Sequence, residues 1–124
     1  MTKYAYLGPS GTFTEMALRR ITSEQDELIA CSNVTAAIDA VRHGEAERAL
    51  VPIENSVEGV VARTLDELAL GIPLTIVGET VLPVTFNLFT LPGNENTHFA
   101  SIATHPHAES QCRSYIARII LMPR

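Results

Sequence analysis

The stretch Val51-Pro52-Ile53-Glu54-Asn55-Ser56-Val57-Glu58-Gly59 decides how the chain is expected to fold. An apolar run from Ala49 to Ile53 stops at a polar cluster, and a helical pattern starts at about Glu58. Because Val and Ile favour strands while Asn and Ser favour turns and helix N-caps, this pattern predicts a buried strand that feeds a helix. In an open α/β sheet, ligands bind at such a junction, where free backbone N–H groups hold an anion. A capping turn without a ligand is the alternative interpretation.

A similar junction lies near the N-terminus. Lys3 to Leu7 alternates polar and apolar residues, which predicts a first strand that ends at Gly8-Pro9. A helix is predicted from residue 13 or 14 to Ile21, and Thr12 with Glu15 fits a capping box in which the acid reaches back to the cap amide. The two glycines of this loop let its backbone approach a ligand, although a tight turn would need them as well.

The elements between these junctions alternate in type. They are a strand at 28–31, a helix capped by Asn33 or Thr35 that ends near Arg42, a strand at 49–53 and a helix at 58–70. Strand, helix, strand, helix, strand with short connections is the pattern of a parallel α/β sheet.

The chain changes character after the third predicted helix. The run from Leu74 to Leu91 is rich in residues that favour strands, and Gly78 and Pro83 interrupt it, so we expect two strands or one bent strand. A short strand at 101–104 and a helix from His105 to about Ile120 follow. We therefore predict a first lobe at residues 1–78 and a partial second lobe at residues 79–124.

Composition limits the classes of function. The 124 residues are 46% hydrophobic and carry a formal net charge of -5, which supports a packed core and disfavours nucleic-acid binding. We find no signal peptide and no membrane-spanning stretch, and we predict a cytoplasmic protein. Cys31 and Cys112 are predicted to be free thiols rather than a disulfide.

The chemistry-bearing residues are mainly neutral. His105 and His107 have no partner carboxylate at helical spacing, so we do not expect a metal site. A Gly-x-Ser-x-Gly elbow does not occur in the sequence, and neither cysteine has an adjacent histidine. Hydrogen-bonding side chains instead collect at three predicted helix starts, which are Ser10 to Thr14, Glu54 to Ser56 and Thr104 to Gln111. This arrangement suits a polyanionic small molecule better than covalent catalysis.

The same three places resemble the motifs of prephenate dehydratases. The matching segments are YLGPSGTFTE at residues 6–15, VPIENSVEG at residues 51–59 and HPHAESQC at residues 105–112. They occur in the family's order and at similar spacing. The resemblance covers nearly the whole chain, and only about the last ten residues look different.

The resemblance implies both a fold and a reaction. The fold is a two-lobed α/β architecture like that of type II periplasmic binding proteins, with the active site between the lobes. The reaction converts prephenate to phenylpyruvate, water and carbon dioxide in phenylalanine biosynthesis, without a cofactor, and the full-length proteins are expected to be homo-oligomers. Carried over by motif, the catalytic residues are Asn55, Gln111 and Thr104, and the substrate-binding residues are Ser10, Gly11, Thr12 and Ser56.

One family motif does not occur in the sequence. Members carry a Thr-Arg-Asp/Asn-Phe-like segment whose threonine is the expected proton donor, and the regulatory ACT domain common in the family is missing too. We therefore interpret the chain as a fragment with an incomplete second lobe and impaired turnover. A small-carboxylate-binding module is one alternative, which prephenate binding without turnover would favour. An inactive fragment that self-associates through exposed apolar strands is the other.

Overall fold

A computed structural model describes residues 1–120 of the chain. Its elements are, in order, β1 (Lys3–Leu7), α1 (Phe13–Arg19), β2 (Glu27–Cys31), α2 (Val34–Arg42), β3 (Arg48–Leu50), β4 (Glu54–Asn55), β5 (Gly59–Val60), α3 (Ala62–Ala69) and α4 (Pro106–Ile120). Contacts divide the chain into two units. Unit 1 comprises Met1–Asn55 and Gly59–Pro83, and unit 2 comprises Ser56–Glu58 and Val84–Arg124. The last four residues of the predicted second lobe lie outside the described residues.

Unit 1 contains the predicted parallel α/β sheet, which is confirmed. The strand order is β2-β1-β3, and β1 pairs in parallel with both neighbours. Alternation along the central strand sends Ala5 to one face of the sheet and Tyr4 and Tyr6 to the other. All three side chains are buried, so the core lies on both faces of β1.

Each face of the sheet is covered by one helix. Leu18 of α1 packs on the tyrosine face. On the other face Ala5 meets Ala37 and Ala40 of α2. The small side chains let α2 lie close to the sheet. Of the two caps predicted for α2, Asn33 and Thr35, the structure has Asn33, whose Oδ1 accepts from the Ala36 amide at 2.8 Å.

Arg42, at the end of α2, ties that helix to the end of α3. Its side chain is 9% exposed, and Nη1 lies 3.1 Å from Oδ1 of Asp39 and 2.9 Å from Oε2 of Glu67. Nη2 donates to the backbone carbonyls of Glu67 and Leu70 at 2.7 and 2.8 Å. Because carbonyls in the last turn of a helix lack intrahelical partners, Arg42 serves as the C-terminal cap of α3.

The predicted junction at Asn55 and Ser56 is wrong in detail. The third strand ends at Leu50 instead of Ile53, and the polar cluster forms a small antiparallel hairpin in which Glu54 pairs with Val60 and Asn55 with Gly59. Gly59 has φ +81°, a left-handed conformation that closes the turn without steric cost. Helix α3 therefore begins at Ala62 rather than at 58, and no side-chain hydrogen bond caps it.

The strands predicted at 74–91 and 101–104 are also wrong for the part of the chain that the structure describes. A strand is stabilised by the ladder it forms with a neighbour, and no described segment pairs with either run. Sequence propensity alone cannot supply that neighbour. The last helix is confirmed as α4, whereas α1 ends at Arg19, two residues before the predicted Ile21.

Candidate functional site

The first motif forms the loop between β1 and α1. Thr12 is the N-cap of α1, and its Oγ1 accepts from the Glu15 amide at 3.5 Å, so half of the predicted capping box is confirmed. The other half is wrong, because the Glu15 carboxylate does not reach the Thr12 amide. Its Oε2 accepts from Ser10 Oγ at 2.7 Å and from the Gly11 amide at 2.6 Å. Gly11 has φ +85°, a left-handed conformation that Gly adopts readily.

The charge of Glu15 is held in place from both sides. Its other oxygen, Oε1, accepts from Nε and Nη2 of Arg19 at 2.8 and 2.6 Å. Hydrogen bonds from Gly11, Ser10 and Arg19, in that order of importance, lower the pKa of Glu15 to about 2. The first motif therefore encloses a permanently ionised carboxylate of its own.

The second motif lies on the hairpin. Asn55 is half-buried in β4, and Ser56 is exposed in the turn that follows. Behind the hairpin, the hydroxyl of the buried Thr64 donates to the Pro52 carbonyl at 2.6 Å, and the Val61 amide donates to the Ile53 carbonyl at 2.8 Å. These two hydrogen bonds hold the backbone just before and just after the hairpin.

The third motif opens α4 in unit 2. Gln111 is exposed, and its Nε2 donates to the Val84 carbonyl at 2.9 Å. Thr104 is exposed and precedes the helix without following a strand; its hydroxyl donates to the His105 carbonyl at 3.3 Å. One turn before Gln111, Nε2 of His107 lies 2.9 Å from Oε2 of Glu58. Residues four apart share a helix face, so His107 and Gln111 project from the same side of α4.

Unit 2 also contains a cavity of about 290 Å³ beside α4. Most of its lining is aromatic or aliphatic, and Thr104, Asn87 and Ser101 add polar atoms. A cavity with an apolar wall and a few polar groups is the usual environment for a small organic ligand. The aromatic part of the lining consists of Phe86, Phe89, Phe99 and Tyr115.

Each unit brings together part of the predicted set. In unit 1, Ser10, Gly11 and Thr12 surround Glu15. In unit 2, the turn that carries Ser56 meets the helix that carries Gln111 through the Glu58–His107 pair. Sequence reasoning missed the Glu58–His107 contact, since no local signal links residues so distant in sequence. It singled out Glu15 correctly but assigned the carboxylate the wrong partner.

The remaining features to consider in the described residues are the cysteines, the metal-ligating side chains and the apolarity of the helices. Cys31 and Cys112 are free, as predicted, and half-buried. Within residues 1–120, no cluster of three or more His, Cys, Asp or Glu side chains could hold a metal ion. Over the same residues, no helix has the length and apolarity needed to cross a membrane.

Comparisons with known proteins agree with the motifs. A model of the family described as prephenate dehydratase matches residues 4–122. Prephenate dehydratases from Amycolatopsis methanolica and Mycobacterium leprae are 48% and 44% identical to the chain, over 94% of its length. The chain spans 38% and 39% of those two relatives.

A solved structure gives the same result. The prephenate dehydratase from Arthrobacter aurescens, in complex with L-Phe, is 46% identical and superposes with a TM-score of 0.83. The match covers 95% of this chain and 39% of that one. The family resemblance of the three motifs is thus confirmed, and the chain belongs to the prephenate dehydratase family.

Proposed function

We propose that the protein carrying this chain converts prephenate to phenylpyruvate with loss of water and carbon dioxide, in phenylalanine biosynthesis. The observation that carries the proposal is the family match over residues 4–122, which includes all three motifs. The chain spans about two fifths of its relatives, so the activity is inferred for the protein and not for this segment alone.

The chemistry of the reaction suits the side chains available. Prephenate is a dicarboxylate with a ring hydroxyl, and departure of that hydroxyl needs a proton donor. Decarboxylation is then driven by the gain of aromaticity. The enzyme mainly has to orient the substrate and stabilise the developing charge, which neutral hydrogen-bond donors can do.

Three side chains are proposed to act on the reacting atoms. Asn55 and Gln111 supply amides, and Thr104 supplies a hydroxyl at the start of α4. The bond from Gln111 to the Val84 carbonyl uses one of its two amide protons, which orients the side chain and leaves the second proton for a substrate. Substrate carboxylates are proposed to contact the loop and turn residues Ser10, Gly11, Thr12 and Ser56.

The surrounding architecture is proposed from the family. We infer a two-lobed fold like that of type II periplasmic binding proteins, with lobes at residues 1–78 and 79–124 and the active site between them. The similarity to the Arthrobacter aurescens enzyme supports this inference. From membership of the family we also propose a cytoplasmic homo-oligomer with prephenate as its small-molecule substrate and no cofactor.

Kinetics on purified protein test the proposal. We expect phenylpyruvate to form from prephenate, and Asn55→Ala and Gln111→Ala each to lower kcat by about a hundredfold, the cost of losing one donor to developing charge. Gln25→Ala, at an exposed residue of unit 1, is the matched control and should leave kcat unchanged. Prephenate binding without turnover would instead favour a carboxylate-binding module. A protein that neither binds nor converts prephenate would refute the proposal.

A further inference from the structure

Glu15 is a buried charge to which the reaction assigns no role. Its residue is 7% exposed, and with Thr64 it makes up the buried polar residues of the described chain. An ionised carboxylate is costly to bury unless it is paired and hydrogen-bonded. Glu15 meets both conditions, since each oxygen accepts two hydrogen bonds from groups within 2.8 Å.

This carboxylate is poorly suited to proton transfer at neutral pH, because donors from the loop and from Arg19 already occupy both of its oxygens. Its pKa of about 2 makes Glu15 a very weak base, far from the range that suits a general base. Its role therefore has to come from the groups it holds.

Those groups belong to the first motif. Oε2 fixes the Ser10 hydroxyl and the Gly11 amide, and the Glu15 amide bonds to Oγ1 of Thr12. The Glu15 side chain thus orients Ser10 and Gly11 and takes up their donor protons. The Glu15 backbone amide orients Thr12, which keeps its own hydroxyl proton for a ligand. Arg19, whose side chain is 65% exposed, neutralises the carboxylate from the other side. The loop is consequently shaped around an internal anion before any ligand arrives.

We propose that Glu15 is a positioning residue for substrate recognition, fixing the Ser10–Thr12 loop in the conformation that binds prephenate. This inference rests on the proposed function. A preorganised loop binds its ligand more tightly, because the conformational entropy of the loop is lost during folding and not during binding. Loss of the internal anion should therefore weaken binding without altering the groups that act on the ring hydroxyl.

Isothermal titration of the purified protein with prephenate tests the role. It is done in an Asn55→Ala background, parent and variants alike, so that slow turnover leaves the ligand intact during the titration. Glu15→Gln keeps the side-chain size, but its amide cannot accept from the loop and from Arg19 together. We expect its Kd for prephenate to rise about tenfold, with a smaller change in kcat. Arg19→Lys keeps the cation but not both guanidinium donors and should weaken binding less than Arg19→Gln, for which we expect about a threefold loss.

A control separates positioning from general destabilisation. Ile38→Ala opens a buried position on α2, outside the loop and α1, and should lower the melting temperature while leaving Kd unchanged. Hydrogen exchange of the Gly11 amide gives an independent readout, and Glu15→Gln should accelerate it about tenfold. If Glu15→Gln fails to fold, the two Arg19 variants decide the question.

The outcomes distinguish this inference from the function on which it rests. If the parent binds prephenate and Glu15→Gln binds within twofold of it, the positioning role is overturned while the proposed function stands. If the parent does not bind prephenate, the proposed function fails and the positioning role fails with it. Faster Gly11 exchange would then show only that Glu15 stabilises the loop.

Discussion

Unit 1 and unit 2 differ in how they bury apolar surface. Unit 1 has a three-stranded sheet with a helix on each face, and residues such as Ala5, Leu18 and Ala37 are fully buried. Among the described residues of unit 2, only Ala108 is a buried apolar residue, and α4 is the one helix. A domain is stabilised by layers that cover each other's apolar faces, so unit 1 should carry most of the free energy of unfolding.

Deleting core side chains in each unit would test this difference most directly. Leu18→Ala in unit 1 removes a side chain with 0% exposure and should cost about 3 kcal/mol. Ile116→Ala, at a half-buried position of α4, should cost about 1 kcal/mol or less. Urea unfolding of both variants gives the values, and equal losses would contradict the comparison.

Two glycines with left-handed backbones offer a finer comparison. Gly71 in unit 1 and Gly93 in unit 2 have φ of +76° and +89°. A Cβ at Gly71 would lie 3.2 Å from Cζ of Arg42, whereas one at Gly93 would meet nothing within 4 Å. Alanine should therefore cost about 1 kcal/mol at Gly93 and about 2 kcal/mol at Gly71. Urea midpoints that shift equally would show that Arg42 moves aside freely.

The smallest expected effect depends on pH and belongs to unit 1. The pKa of Glu15 is lowered from 4.5 to about 2, so its charged form stabilises the fold above pH 4.5. That contribution declines as the pH falls from 4.5 toward 2. The difference in melting temperature between the parent and Glu15→Gln should thus be largest near neutrality and shrink at pH 3. A difference that stays constant with pH would mean that the charge of Glu15 is not responsible.

Sequence reasoning succeeded where the deciding signal is local. The strand β1 and the Asn33 cap of α2 depend on alternation and on side-chain chemistry within a few residues, and both were predicted correctly. The parallel sheet followed from the order of the elements. The strands expected after Leu74 failed because pairing depends on a distant neighbour, which propensity does not specify.

Predictions for the candidate site likewise succeeded where the signal is local and failed where it depends on backbone conformation. The Ser10–Thr12 loop was predicted as a polar junction, but the partner of Glu15 depends on the left-handed Gly11, which turns its amide toward the carboxylate. Asn and Ser are common in turns of every kind, so a hairpin at Asn55 looked like a helix cap. The bond from Val61 to Ile53, which closes that hairpin, has no signature in the sequence.

The cap that Arg42 provides to α3 has a consequence for how unit 1 opens. The guanidinium holds carbonyls at the end of α3 while its backbone belongs to α2. Fraying the last turn of α3 would leave those carbonyls without their donor and would take Glu67 away from the buried cation, which would keep Asp39 of α2 as a partner. Loosening the end of α3 thus breaks contacts made by α2. The two helices therefore behave as a single cooperative unit, and their slowly exchanging amides should become accessible in the same fluctuation.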